Sequence, residues 1–306
     1  MKKTLSVALG IVALAAAAGW LLSAPGTVAG DRLAGLTPGN AEKGARLFWA
    51  GGCASCHAAK GAKGDDKLRL VGGVRLESPF GTFVAPNISM STTDGIGTWS
   101  LADFTNAMVR GTSPAGANYF PAFPYTSYVR MPLQDVADLF AFMKTLPAVD
   151  GVAPGHEVGF PFNIRRAVGL WKWLYLDPAP VIAAPVASAG EVDAGLWDRG
   201  RYLVEGPGHC GECHTPRNAI GGPDLTLWLA GAPAPTGDGK VPDITPSSSG
   251  LGSWSEADIA YYLESGFTPE FDSVGGDMVA VQENMARLPP EDRAAIAAYL
   301  KAIPSD

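Results

Sequence analysis

Charge is scarce in this chain of 306 residues: Asp, Glu, Lys and Arg make up 17% of it, with 23 basic against 30 acidic side chains. The resulting net charge of −7 argues against nucleic acid as a partner, because phosphate binding needs an excess of Lys and Arg. Cysteine and histidine are equally sparse, four of each. That excludes a disulfide-dense scaffold. No alternating apolar and polar run of useful length appears, so sheet-based folds are not indicated. What is present is 47% hydrophobic residues, enough for real cores, and 38 Gly with 25 Pro, which mark many turns. The length suits two domains of ordinary size.

The N-terminus carries Lys2 and Lys3 and then an apolar run from Leu5 to Leu22, the pattern of an export signal. As a helix at ~1.5 Å per residue this run would span about 27 Å, the short end of what crosses a bilayer. An uncleaved anchor with Lys2 and Lys3 on the cytoplasmic side is expected, and cleavage after Thr27-Val28-Ala29 is the alternative. The body is placed on the periplasmic side of a bacterial inner membrane.

All four cysteines fall in two motifs, "CASCH" from Cys53 to His57 and "CGECH" from Cys210 to His214. Cys-X-X-Cys-His is the spacing of covalent haem attachment. The thiols Cys53, Cys56, Cys210 and Cys213 would add across two porphyrin vinyl groups each, and His57 and His214 would bind the irons. A structural zinc would want a fourth ligand at each site, and no cysteine is spare. Two c-type haems are therefore the expected cofactors.

The motifs belong to an internal repeat with an offset of 155 to 157 residues. "APNIS" from Ala85 recurs as "VPDIT" from Val241, "GIGTWSLADF" from Gly95 as "GLGSWSEADI" from Gly250, and "VRMPLQDVADLFAFMKTLP" from Val129 as "ARLPPEDRAAIAAYLKAIP" from Ala286. Two copies indicate tandem duplication of one domain. Asn40 is expected to cap a helix leading into Cys53, and a helix over 194–205 to lead into Cys210. Ser100 with Asp103 and Ser255 with Asp258 have the N-cap pattern ahead of helices ending near Gly111 and Gly266. A last helix carries Val136, Leu139, Phe140 and Met143, mirrored by Ala294, Ile296, Tyr299 and Leu300.

Between the halves, Asn163 is expected to cap a helix with Ile164, Val168, Trp171 and Tyr175 on one face, ending at Asp177-Pro178. This helix is expected to pack against both domains, with membrane-surface contact as the second reading. A stiff Pro/Ala linker, Pro178 to Gly190, follows.

The ligand opposite each histidine decides the chemistry. Only His156 and His209 remain, and His209 adjoins Cys210, so a second imidazole at both irons is nearly excluded. Methionine is the natural alternative and raises the reduction potential. Met131, in a turn before the closing helix, is favoured over Met90, Met108 and Met143. In the second half its equivalent is Leu288; there Met278, after Gly275-Gly276, is favoured over Met285. Trp99 and Trp254 are read equally as donors to haem propionates and as core residues. Lys60, Lys63, Lys67 and Arg69 are read as a solvated loop before a docking patch.

These segments, with "FPYTSYVRM" from Phe123, "FPFN" and "LWKWLYLDP" in the spacer, "GPGHCGECHTPRN" from Gly206 and "GFTPEFDSVGGDM" from Gly266, resemble dihaem c-type cytochromes related to the cytochrome subunits of bacterial membrane-bound dehydrogenases acting on alcohols, aldehydes or sugars. The resemblance covers nearly all of residues 40–303. It implies Met131 and Met278 as the distal ligands and an all-α fold of two tandem class I cytochrome c-like domains after an N-terminal signal-anchor helix. The expected organisation is 1–30 as signal or anchor, 31–150 as the first haem domain, 151–190 as aromatic helix and linker, and 191–306 as the second haem domain. Enzyme-associated members often have three haem domains; two motifs are present here. With both irons closed off, the expected role is electron transfer and not catalysis: electrons pass from a dehydrogenase, through the haems, towards another cytochrome, an oxidase or a quinone-linked acceptor. The rival is a dihaem enzyme of peroxidase or thiosulfate-oxidising type, kept open by the broken repeat at Leu288.

Overall fold

The computed structural model describes residues 2–234 and 239–305. An N-terminal helix, α1 (Lys2–Leu22), precedes a short α2 (Gly30–Ala34). The first half then contains α3 (Ala41–Ala50), α4 (Cys53–His57), strands β1 (Arg75–Ser78) and β2 (Gly81–Val84), α5 (Leu101–Arg110), α6 (Tyr125–Tyr128) and α7 (Leu133–Met143). The spacer helix α8 (Arg165–Tyr175) follows. The second half repeats the plan with α9 (Ala194–Glu205), α10 (Gly211–His214), strands β3 (Ala232–Pro233) and β4 (Lys240–Val241), α11 (Glu256–Ser265), α12 (Met278–Met285) and α13 (Pro290–Lys301).

The helix ends obey local chemistry. Asn40 accepts from the Lys43 amide at the start of α3, and Ser100–Asp103 and Ser255–Asp258 form complete capping boxes on α5 and α11. Both of those helices stop at a glycine in the left-handed region, Gly111 and Gly266, where a side chain would be strained. The two antiparallel hairpins, β1–β2 and β3–β4, were not legible. Strands of four and two residues are too short to print an alternating pattern.

Two large apolar clusters form, one centred in each half, beside a small one of Phe83, Phe120 and Val168. The first gathers Phe48, Phe104, Met108, Val136, Leu139, Phe140 and Met143; the second gathers Trp197, Leu203, Ile259, Leu263, Ile296, Tyr299 and Leu300. In each, the helix before the cysteine motif packs on the closing helix through a glycine. A Cβ on Gly44 would sit 2.0 Å from the Asp138 carbonyl oxygen, and one on Gly200 would sit 1.9 Å from that of Ala295.

The spacer differs in detail from expectation. Helix α8 starts after Ile164, which makes no side-chain cap, instead of after Asn163. Val168, Gly169 and Lys172 are its buried residues, while Ile164 is exposed and Trp171 and Tyr175 are half-buried. Its packing on both halves is as expected. Lys172, buried, donates to the Gly111 carbonyl at 2.7 Å and to Asn118 Oδ1 at 2.8 Å; burial, then Arg110, pulls its pKa down to about 7. Trp171 Nε1 donates to the Ile220 carbonyl at 2.9 Å, and Tyr175 OH accepts from Asn218 at 2.9 Å. The linker beyond is pinned as well: the buried Glu205 accepts from the amides of Val181 and Ile182, and Arg130 Nε donates to the Ala179 carbonyl.

Helix α1 leans on α8, where the Arg166 guanidinium lies 4.2 Å over the Trp20 ring and donates to Ser23 Oγ at 2.9 Å. Among the described residues, no helix is long and apolar enough to cross a membrane. The expected spanning anchor is therefore not supported, and the side chains of Lys2 and Lys3 lie outside the described residues.

Replacing Gly200 by Ala should force α9 and α13 apart and lower the stability of the holoprotein by about 1–3 kcal/mol, measured by denaturant unfolding. Gly44→Ala should do the same to α3 and α7. An unchanged midpoint in both would remove the close approach as a constraint.

Candidate functional site

At the first cysteine motif, α3 ends at Gly51, and Gly52 takes the left-handed conformation (φ +56°) that turns the chain into α4. At the second, Gly208 and His209 make the equivalent turn, with His209 itself at positive φ. Cys53, Cys56 and Cys210 are half-buried and Cys213 is exposed. None of the four is joined to another by a disulfide.

The two histidines are held identically. His57 Nδ1 lies 2.8 Å from the Pro86 carbonyl oxygen and His214 Nδ1 lies 2.7 Å from that of Pro242. A carbonyl can only accept, so Nδ1 carries the proton in each ring and Nε2 keeps its lone pair for a metal. The prolines belong to the repeated "APNIS" and "VPDIT" segments. The same turn is closed twice more, by the Gly72 amide on the His57 carbonyl at 2.7 Å and the Gly231 amide on the His214 carbonyl at 2.8 Å. Burial holds both imidazoles below their ordinary pKa, against the pull of the carbonyl partner. Each ring is thus neutral and oriented, as an iron ligand must be. Two thiols at fixed spacing beside such a ring are the donor set of a covalently attached haem, and the residues at both sites fit it.

The sites face each other across the seam between the halves. His209 Nε2 donates to the Gly51 carbonyl at 3.2 Å, and its ring meets Tyr128 at 5.8 Å, edge to face. Thr126 and Ser127 of α6 donate to Glu212 Oε1 at 2.8 and 3.1 Å. Asn284 of α12 donates to Ser55 Oγ at 2.7 Å. The buried Asp292 accepts from Arg199 of its own half at 2.8 and 3.0 Å and from Arg46 of the other at 2.9 Å. Burial pushes its carboxyl up, but these bonds outweigh that and hold it below the usual range. Tyr202 OH is hydrogen-bonded to Asp135. Sequence reasoning missed this seam. The repeat contained a signal, because Ser55 aligns with Glu212 and Ser127 with Asn284 at the 157-residue offset of the two histidines.

The methionines separate by setting. Met131, 4% exposed, lies between α6 and α7 in the apolar cluster against which Cys53 packs. Met108 and Met143 are interior residues of α5 and α7, and Met90 is half-buried in a loop. In the second half Met285 and Leu288 are buried core residues. Met278 is the half-buried first residue of α12, packed on the same cluster as Cys210, and a Cβ at either preceding glycine, Gly275 or Gly276, would meet nothing within 4 Å. His156 accepts from the Val84 amide at 3.0 Å and packs on Phe83 and Phe120. It is a structural histidine, and His209 is committed to Gly51. The Trp99 and Trp254 indole N–H groups make no hydrogen bond among the described residues.

The profile of the cytochrome c family matches residues 41–147. The whole chain is 51% identical over 305 residues to a protein named diheme cytochrome c-type from Cereibacter sphaeroides, covering 100% of this chain and 99% of that one. It is 37% identical over 270 residues to the fructose dehydrogenase cytochrome subunit of Gluconobacter japonicus, and 34% identical over 274 to the cytochrome c subunit of a quinone alcohol dehydrogenase of Gluconacetobacter polyoxogenes. Each of those matches covers 86% of this chain but only 52% and 56% of the relative, so the chain spans about half the length of these dehydrogenase subunits.

Replacing Met278 by Ala should abolish the near-infrared methionine-to-iron band of the second haem. Met285→Ala should keep that band and cost about 2–5 kcal/mol of stability as a core truncation. The opposite pattern would move the ligand to Met285.

Proposed function

Since the chain belongs to the cytochrome c family, among the dihaem c-type cytochromes, we propose that it carries electrons from a dehydrogenase through its two haems to a respiratory acceptor. The covalently bound haems supply the chemistry, one-electron cycling of iron between ferrous and ferric states. Everything else is done by the chain. Cys53, Cys56, Cys210 and Cys213 tether the rings. His57 and His214, fixed through Pro86 and Pro242, present neutral nitrogen to the irons. Met131 and Met278 would be the second protein ligands of the irons, and thioether ligation would raise the potentials.

The observation that carries this reading is that the two attachment motifs face each other across one seam, His209 beside Cys210 donating to the carbonyl of Gly51, two residues before Cys53. A relay needs its two stations close together; a substrate-binding enzyme needs an open iron. The relatives named as cytochrome subunits of fructose and alcohol dehydrogenases support a dehydrogenase as donor and a non-catalytic role. The two apolar clusters and the repeated helix plan support reading 31–150 and 191–306 as tandem cytochrome c-like domains, with 151–190 as the spacer that ties them. The N-terminal segment, 1–30, is assigned to export, which delivers the body to the periplasmic side of the inner membrane where c-type haem attachment takes place.

Mixing the oxidised protein anaerobically with a substrate-reduced dehydrogenase of the sugar or alcohol class should reduce both haems with no small-molecule turnover by the cytochrome itself. Carbon monoxide added to the fully reduced protein should leave both spectra unchanged. A carbon monoxide-shifted spectrum from one haem would place an open iron there and turn the reading to a dihaem enzyme.

A further inference from the structure

The seam between the halves is built twice by the same rule. Each attachment motif has one residue just before its second cysteine, Ser55 in the first and Glu212 in the second. Both make hydrogen bonds across the seam. Glu212 Oε1 accepts from Thr126 and Ser127 of α6 at 2.8 and 3.1 Å, and its other oxygen is paired with Arg217 beside its own motif. Ser55 Oγ accepts from Asn284 of α12 at 2.7 Å. Thr126, Ser127 and Asn284 are buried while Ser55 and Glu212 are half-buried, so losing these bonds would leave buried polar groups short of a partner, at a cost.

The two gripped segments share a further property. Helix α6 ends at Tyr128, three residues before Met131, and α12 begins with Met278. Helix α6 is a single turn of four residues, which cannot hold its own position by helix propensity. The amide of Met131 is hydrogen-bonded to the Tyr128 carbonyl at 2.9 Å, so a displacement of α6 carries Met131 with it. Asn284 lies on the eight-residue helix of which Met278 is the first residue. In both halves the methionine approaches its site from a segment anchored to the opposite motif.

We propose that these cross-seam hydrogen bonds are positioning contacts for the distal methionines: Glu212 with Thr126 and Ser127 holds Met131 at the first haem, and Ser55 with Asn284 holds Met278 at the second. Methionine ligation in each half then depends on the attachment motif of the other half, and the two sites are mechanically coupled without sharing a ligand. This rests on the reading of Met131 and Met278 as ligands.

The test uses the holoprotein, with haem content fixed by intact mass, and follows the near-infrared methionine band and the binding of exogenous imidazole to each ferric haem. Thr126→Val/Ser127→Ala should raise imidazole affinity at the first haem about tenfold, as expected for losing hydrogen bonds to a carboxylate, weaken its methionine band and leave the second haem unchanged. Asn284→Ala should act on the second haem alone, with a smaller change of about fivefold for one neutral bond. Thr126→Ser/Ser127→Thr, which keeps both donors, should restore wild-type behaviour. If the double variant matures poorly, Ser127→Ala alone provides the same readout. Met131→Ala and Met278→Ala separate the two ideas. If either leaves its methionine band intact, the ligand reading fails. If both remove their bands while the hydroxyl and Asn284 variants leave imidazole affinity unchanged, the ligand reading stands and the coupling across the seam is wrong.

Discussion

The seam at which the two attachment motifs face each other is the contact on which the remaining architecture depends. On the proposed reading each half would commit its two cysteines and its histidine to a haem, which leaves the residues around the motif to meet the other half. Those residues are Glu212 inside the second motif, His209 before it, and Gly51 on the approach to the first. Outside that centre the seam is reinforced by the buried Asp292 between Arg46 and Arg199, and by Arg287 over the Trp49 ring at 4.2 Å. Breaking one partner of such a buried pair leaves an uncompensated charge, which is far costlier than the pair is worth. The halves are thereby held in one register.

The spacer follows from the same requirement. Two halves that must keep their motifs in register cannot hang on a flexible tether. Residues 178–190 are accordingly not a free strand of Pro and Ala, because Glu205 captures the amides of Val181 and Ile182, and the Val186 amide reaches the Ala302 carbonyl at 2.9 Å. Helix α8 adds Lys172 against the first half and Trp171 against the second. The aromatic stripe that could be read as a membrane-docking face is in part a bracket between the halves, although Trp173 and Leu174 remain exposed.

What the sequence made legible was what is encoded locally or repeated. The capping boxes at Ser100 and Ser255, the left-handed glycines at Gly111 and Gly266, and the Cys-X-X-Cys-His spacing each involve residues within a few positions of one another, so physics reads them directly. The core helices were legible through their periodicity. The hairpins were not, because their strands are too short. The cap of α8 was misplaced by one residue, since Asn163 is a good cap by type but the chain turns helical only after Ile164. The seam was invisible for a different reason. Thr126 and Glu212 are 86 residues apart and Ser55 and Asn284 are 229 apart, and nothing in a polar side chain says which distant partner it will meet. Only the repeat, by aligning Ser55 with Glu212 and Ser127 with Asn284, placed the four in matching positions.

The central claim is that the two haem-attachment motifs lie against each other across the seam, so that the haems they would hold are close neighbours. It is tested most directly by the electron-spin relaxation of one ferric haem, recorded first with the other haem also ferric and then with the other haem reduced to its diamagnetic ferrous form. Facing sites predict clearly faster relaxation in the doubly oxidised protein. Identical relaxation in the two states would mean that the irons are magnetically isolated, and would contradict the arrangement.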